Sequence, residues 1–295
     1  MTSTHPPAWN TRYVNLPTGA LLALDEWPSA GPRTVFLHAT GFSRGCWRPH
    51  AARLASRSTP TLIDLRGHGA SSKPPEPYRW SYFVDDLVSL FEIEDWRNVV
   101  LCGHSVGGAT AIQVAARIPG RVAALVLLEP VVPAASALLD RSEEGGLVER
   151  TRRRRSRWPS RPVAAAYLRT RAPYDSWNSE VFEGWIDTGV AAAGLEVELA
   201  CPPWVEASVF VETRRSTARD DLGLVMAPTT VVRATGSRGM PSTCDPSVAA
   251  HVNGAHEIVV EGSGHFLPLE DVDLVAQVVM TALADAVSEP RTEKG

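Results

Sequence analysis

Ser105 lies in Gly103-His104-Ser105-Val106-Gly107-Gly108, between the apolar run 98–102 and the helix-favouring stretch 109–117. Serine in a G-x-S-x-G sequence at a strand-to-helix turn is poised as a nucleophile. So tight a turn strains the serine backbone, and side chains two residues before and after it would strike the flanking strand and helix. Gly103 and Gly107 remove those side chains. The helix that begins beside the serine also directs its positive end and unpaired N–H groups at the hydroxyl, which favours an alkoxide and the anion formed by its attack.

A serine hydroxyl is a weak nucleophile at neutral pH, so the chemistry requires a histidine to take its proton and a carboxylate to hold that histidine. Of eight histidines, His265 stands in Glu261-Gly-Ser-Gly-His265-Phe266, after an apolar run and before the last long helical pattern. That puts it in a loop at the sheet edge expected for Ser105. His104 adjoins the nucleophile but would point away from it, which suits shaping the turn.

The elements that must position these groups are legible as apolar runs over 21–25, 34–38, 61–64, 99–102, 122–129, 229–234 and 257–261. Between several of them lie stretches with the helical apolar period, notably 80–93 and 267–286. Strands buried on both faces and alternating with helices predict a three-layer α/β protein with a mainly parallel sheet. In such sheets functional groups gather beyond the carboxyl ends of the strands, where Ser105 falls. The alternation lapses between about Pro130 and Met226, a stretch too long for a loop. It reads as an inserted helical cap over 131–225, leaving 1–130 and 226–288 as the core and 289–295 as a disordered tail. The cap is rich in aromatics: Trp158, Tyr167, Tyr174, Trp177, Phe182, Trp185, Trp204 and Phe210. Most are expected to pack within it.

Hydrophobic residues make up 44% of the 295 and charged residues 21%, the balance of a globular protein. A net charge of -4 gives no overall attraction to nucleic acid or to an anionic membrane. Cys46, Cys102, Cys201 and Cys244 are scattered, without C-x-x-C or Cys/His clustering, so neither a metal site nor a disulfide framework is expected. The first residues lack a secretion signal, and no run approaches the roughly 18 apolar residues of a membrane span. A soluble cytoplasmic protein is the expectation, and a homodimer is compatible with it. Arg150 through Arg157 contains six arginines. In an acidic protein without a nucleic-acid-binding motif they read as a solvated cap face, with recruitment of an anionic substrate or partner as the other reading.

His38-Ala-Thr-Gly-Phe42, Asp64-Leu-Arg-Gly-His-Gly-Ala-Ser71, the Ser105 motif and Gly264-His265-Phe266, in this order, together resemble the capped branch of the α/β-hydrolase superfamily. The resemblance covers almost the whole chain outside the cap. It implies an oxyanion hole formed by the backbone N–H groups of Val106 and Thr40, although Ala39 stands where many relatives have glycine. It makes Asp64, Arg66 and His68 structural. Phe42, Trp177, Trp185 and Phe266 are the aromatic residues expected to touch substrate. In most members the acid follows the seventh strand, in a segment similar to Gly-x-x-Asp; the matching segment here is Gly236-Ser-Arg-Gly239, with glycine at the acid position. Glu129, 24 residues after Ser105 at the end of the preceding strand, resembles the placement in some haloalkane dehalogenases and resorcylic-lactone hydrolases. A glutamate after an apolar run is costly to bury unpaired, and an imidazolium would pair it. Asp245 is the rival.

These residues imply hydrolysis of a carboxylic ester or lactone of a bulky, largely apolar small molecule through an acyl-enzyme, without metal or organic cofactor. Carbon-carbon bond, thioester and amide cleavage use the same groups, and a non-hydrolytic binder is the alternative class.

Overall fold

A computed structural model describes residues 9–133, 144–236 and 240–288. The main sheet is built from β1 (Asn10–Asn15), β2 (Leu21–Glu26), β3 (Arg33–Leu37), β4 (Thr59–Ile63), β5 (Val99–His104), β6 (Val122–Leu128), β10 (Thr229–Ala234) and β11 (His256–Val260). Their spatial order is β1-β2-β4-β3-β5-β6-β10-β11. Neighbours from β4 to β11 run parallel, whereas β1–β2 and β2–β4 are antiparallel. Sequence patterning found every strand of this sheet but β1. In Asn10–Asn15 only Val14 is buried, because an edge strand needs no apolar run.

Alternate residues of β5 serve opposite faces. Val99 and Leu101 join one apolar cluster with Phe83 and Leu87 of α2 (Trp80–Ile93) and Ile112 of α3 (Val106–Arg117). Val100 and Cys102 join another with Leu54 of α1 (Arg48–Leu54) and Val275 and Val279 of α11 (Val272–Ser288). This is the three-layer arrangement the alternation implies. The single helix expected over 267–286 is two, α10 (Leu267–Glu270) and α11, divided at Asp271, whose Oδ1 accepts from Leu274 N at 3.0 Å and so caps the second helix.

Between β6 and β10 lie α4 (Glu144–Arg153), α5 (Arg161–Arg169), α6 (Ser179–Gly189), α7 (Pro203–Val211) and α8 (Ala218–Asp221), and between β10 and β11 lies α9 (Val248–His251). The helical reading of the insertion between β6 and β10 needs correction, since it also holds an antiparallel sheet of β7 (Arg157–Trp158), β8 (Val190–Ala193) and β9 (Glu196–Leu199), ordered β7-β9-β8. The β8–β9 hairpin turns at Gly194, whose φ of 66° suits glycine. Two four-residue strands are too short to show a period in sequence. The end of the insertion packs on the core: Ala218 and Leu222 share the cluster of Ile112, and Gln113 Nε2 donates to Thr217 Oγ1 at 2.8 Å. The tail 289–295 and Gly239 lie outside the described residues.

Candidate active site

β5 delivers Ser105 at its carboxyl end, and α3 starts one residue later. Ser105 has φ 58° and ψ -120°, a conformation costly for a residue with a side chain and held here by packing. A Cβ on Gly107 would stand 2.5 Å from the Leu37 carbonyl oxygen, and one on Gly103 would stand 2.3 Å from that of Gly107. The elbow therefore closes only with glycine at both positions. Glu129 follows β6 and also has positive φ, 46°. His265 lies in the loop between β11 and α10, with its N–H donating to Met240 O and its carbonyl 2.9 Å from His104 Nε2. His104 thus braces the loop of His265.

These three strand ends bring the residues together. His265 Nε2 is 3.1 Å from Ser105 Oγ, within the reach of proton transfer, and Nδ1 is 3.3 Å from Glu129 Oε2. Glu129 is fully buried, and its oxygens accept from Ala234 N at 2.6 Å, Thr243 N at 3.2 Å and the Ser242 hydroxyl at 2.8 and 2.9 Å. Burial opposes its charge, but hydrogen bonds from His265, Ala234 and Ser242 outweigh that and hold the carboxyl below the usual range. Thr243 Oγ1 lies 2.8 Å from His265 Nδ1, closer than the carboxylate. Nothing in the neighbouring residues marks Ser242 or Thr243 for this role.

Asp245 is engaged elsewhere. It ion-pairs with Arg219 and accepts from Ser247 N at 2.8 Å and Ser247 Oγ at 2.7 Å. Its partners explain its position without the histidine.

Asp64 accepts from Arg44 N at 2.6 Å and Ala70 N at 2.8 Å, Arg66 ion-pairs with Asp86, and His68 Nδ1 contacts Arg66 O at 3.0 Å. All three brace their turn.

Ser105, His265 and Thr40 line two cavity lobes of about 210 and 240 Å³. Val106 is the first residue of α3, so its N–H has no intrahelical acceptor. The first lobe is walled by Trp80, Val131, Leu147, Val148, Phe210 and Met240. The second adds Phe42, Tyr174 and Phe266 together with Thr151, Arg154 and Glu206. Phe42 and Phe266 thus line the second lobe, whereas Trp177 and Trp185 line neither. Both are buried behind Tyr174, Trp185 stacked on it with centroids 4.5 Å apart and Trp177 at 5.0 Å. The larger rings fill the interior of the insertion and leave the smaller one at the cavity.

The arginine run also divides. Arg150, Arg152, Arg153, Arg155 and Arg157 are exposed, whereas Arg154 turns inward to Glu206. Leu147, Thr151 and Arg154 all line the second lobe, an i, i+4, i+7 stripe, as do Glu206 and Phe210 at i, i+4 on α7. That periodicity was available in the sequence, masked by the charge of the neighbouring arginines.

Residues 34–278 match the model of the alpha/beta hydrolase family. The chain belongs to that family. Over 100 residues it is 31% identical to a 2-(acetamidomethylene)succinate hydrolase of Mesorhizobium japonicum, covering 34% of this chain and 36% of that one. It spans about a third of the length of the curated relatives it matches. In fold it is similar to the crystal structure of E-2-(acetamidomethylene)succinate hydrolase, with TM-score 0.81 and 20% identity over 94% of this chain and 100% of the other. It is likewise similar to the enol-lactonase of Burkholderia xenovorans, with TM-score 0.71 and 19% identity over 92% and 100%. Among the described residues no helix is long and apolar enough to cross a membrane, and no group of His, Cys, Asp and Glu could hold a metal ion.

Proposed function

We propose that the protein is a cytoplasmic serine hydrolase that cleaves a carboxylic ester or lactone of a largely apolar small molecule through an acyl-enzyme. The observation that carries this reading is the continuous relay Ser105–His265–Glu129 opening on an apolar cavity. Ser105 Oγ attacks the carbonyl carbon while its proton passes to His265 Nε2, and Glu129 stabilises the imidazolium through Nδ1. The oxyanion accepts hydrogen bonds from the N–H groups of Val106 and Thr40. Collapse breaks the bond to the leaving oxygen, which takes the proton from Nε2; water then repeats the sequence to release the acid. The two lobes meet at Ser105 and suit an acyl part on one side and an alcohol part on the other. An enol-lactonase among similar folds accords with a cyclic ester.

The test is reaction with a fluorophosphonate followed by turnover of a panel of aryl esters and macrolactones. Wild type is expected to be labelled at Ser105 and to hydrolyse members of the panel, with Ser105→Ala doing neither. A protein that resists the probe, or a Ser105→Ala variant as active as wild type, refutes the assignment.

A further inference from the structure

The second lobe carries polar atoms that the proposed reaction does not use. Arg154 Nη1 donates to Glu206 Oε1 at 3.1 Å, and Nη2 lies 3.0 Å from Oε2 without the alignment of a hydrogen bond. Arg154 Nε and Nη2, Glu206 Oε2 and the Tyr174 hydroxyl are buried without a well-aligned hydrogen bond among the described residues, the phenol lying beside the Arg154 guanidinium. All three residues line the lobe that Ser105 and His265 also line. Glu206 stands against the turn that carries Thr40, since a Cβ on Gly41 would lie 2.6 Å from its Oε1. The remaining walls are mostly apolar, so these atoms mark one defined polar spot within reach of the scissile bond.

We propose that Arg154, Glu206 and Tyr174 form a subsite for an uncharged group that both accepts and donates hydrogen bonds, a carboxamide or hydroxyl, on the substrate of Ser105. The inference rests on the hydrolase reading above for the position of the scissile bond. Two features select this chemistry. The spot is charge-balanced, one guanidinium against one carboxylate, so an added carboxylate would meet the repulsion of Glu206 as well as the attraction of Arg154. It also leaves both kinds of partner unsatisfied: donors on Arg154, an acceptor on Glu206, and a phenol that serves as either. A carboxamide oxygen can accept from Arg154 while its N–H donates to Glu206 Oε2. A carboxylate has no hydrogen for Glu206, and an alkyl end leaves every atom unpaired.

The probes are p-nitrophenyl monoesters of five-, six- and seven-carbon dicarboxylic acids, their ω-carboxamides, and the straight alkyl esters of the same lengths. For at least one length, wild-type kcat/KM is expected to favour the carboxamide over the alkyl ester by about tenfold or more, with the carboxylate below both. Calorimetric binding of the same esters to Ser105→Ala should follow the same order. Glu206→Gln removes the repulsion and should raise the carboxylate relative to the carboxamide. An alkyl ester equal to the carboxamide at every length, the result if the spot merely holds water, overturns the proposal, as does preference for the carboxylate. Should wild type hydrolyse none of the esters, the hydrolase reading fails while the binding order in Ser105→Ala still decides the subsite. Wild type alone suffices for the rate comparison if Glu206→Gln does not fold.

Discussion

Glu129→Gln tests the relay at the point where this site departs from its commonest form. Glu129 accepts four sets of hydrogen bonds, from Ala234 N, Ser242 Oγ, Thr243 N and His265 Nδ1. Glutamine offers one oxygen and one NH2 group. The shortest of these contacts, 2.6 Å from Ala234 N to Oε1, retains the oxygen there, so the NH2 falls at Oε2, facing Thr243 N–H and His265 Nδ1. Two donors would then confront each other unless His265 moves its proton from Nδ1 to Nε2. In that tautomer Nε2 donates towards Ser105 and can no longer take its proton. Loss of the negative charge removes the imidazolium's counter-ion as well. The expected fall in kcat is about three to four orders of magnitude, or about 4–5.5 kcal/mol in the barrier. Thr243→Val is the necessary comparison, because its hydroxyl is nearer to Nδ1, at 2.8 Å. A neutral hydrogen bond contributes about 1 kcal/mol, so its removal should cost less than about tenfold. The assay is kcat on an aryl ester that wild type hydrolyses, with circular dichroism confirming folded variants and Asp245→Asn expected within about twofold of wild type. If Thr243→Val or Asp245→Asn loses a hundredfold while Glu129→Gln retains a tenth of the wild-type rate, the assignment of the acid is wrong.

The two aromatic classes should separate on measurement. Trp185→Ala is expected to lower stability by about 3–5 kcal/mol in chemical denaturation, because the ring is fully buried behind the cavity, whereas Phe210→Ala should change KM and cost far less stability; the reverse pattern would place Trp185 at substrate. A second expectation concerns pH. Burial pushes His38 and His50 down to about 4 and His68 to about 3, so in the fold they stay neutral where the unfolded chain, titrating near 6.5, takes up protons. Their stabilising contribution is complete above about 6.5 and disappears as pH falls through their folded values, and Glu129, also lowered, adds to the loss only below the usual carboxylate range. Urea denaturation should lose on the order of 4 kcal/mol between pH 7 and 5.5, and a flat profile over that interval would contradict buried neutral histidines.

How much was legible follows from how local each signal is. Ser105 and its glycines could be read because the steric demand of the elbow acts within five residues. His265 could be read because its loop sits between a strand and a helix that announce themselves by pattern. β1 escaped because an edge strand with one buried side chain has no apolar run, and the β8–β9 hairpin because four-residue strands carry no period. Residues Trp177 and Trp185 were drawn towards the substrate by size and composition, properties that do not say which way a ring faces.

By itself the sequence determined the layered α/β fold and singled out Ser105 and His265 as candidate nucleophile and base, since apolar periodicity and tight-turn sterics are written in consecutive residues. Which of Glu129 and Asp245 lies against His265 was decided only in three dimensions. It depended on Arg219, Ser247, Ser242, Thr243 and Ala234, which are remote from Glu129 in the chain and converge where β6 and β10 end side by side. The inward turn of Arg154 was decided in the same way, by Glu206 across the cavity, because an arginine pairs with whatever carboxylate the packing places before it.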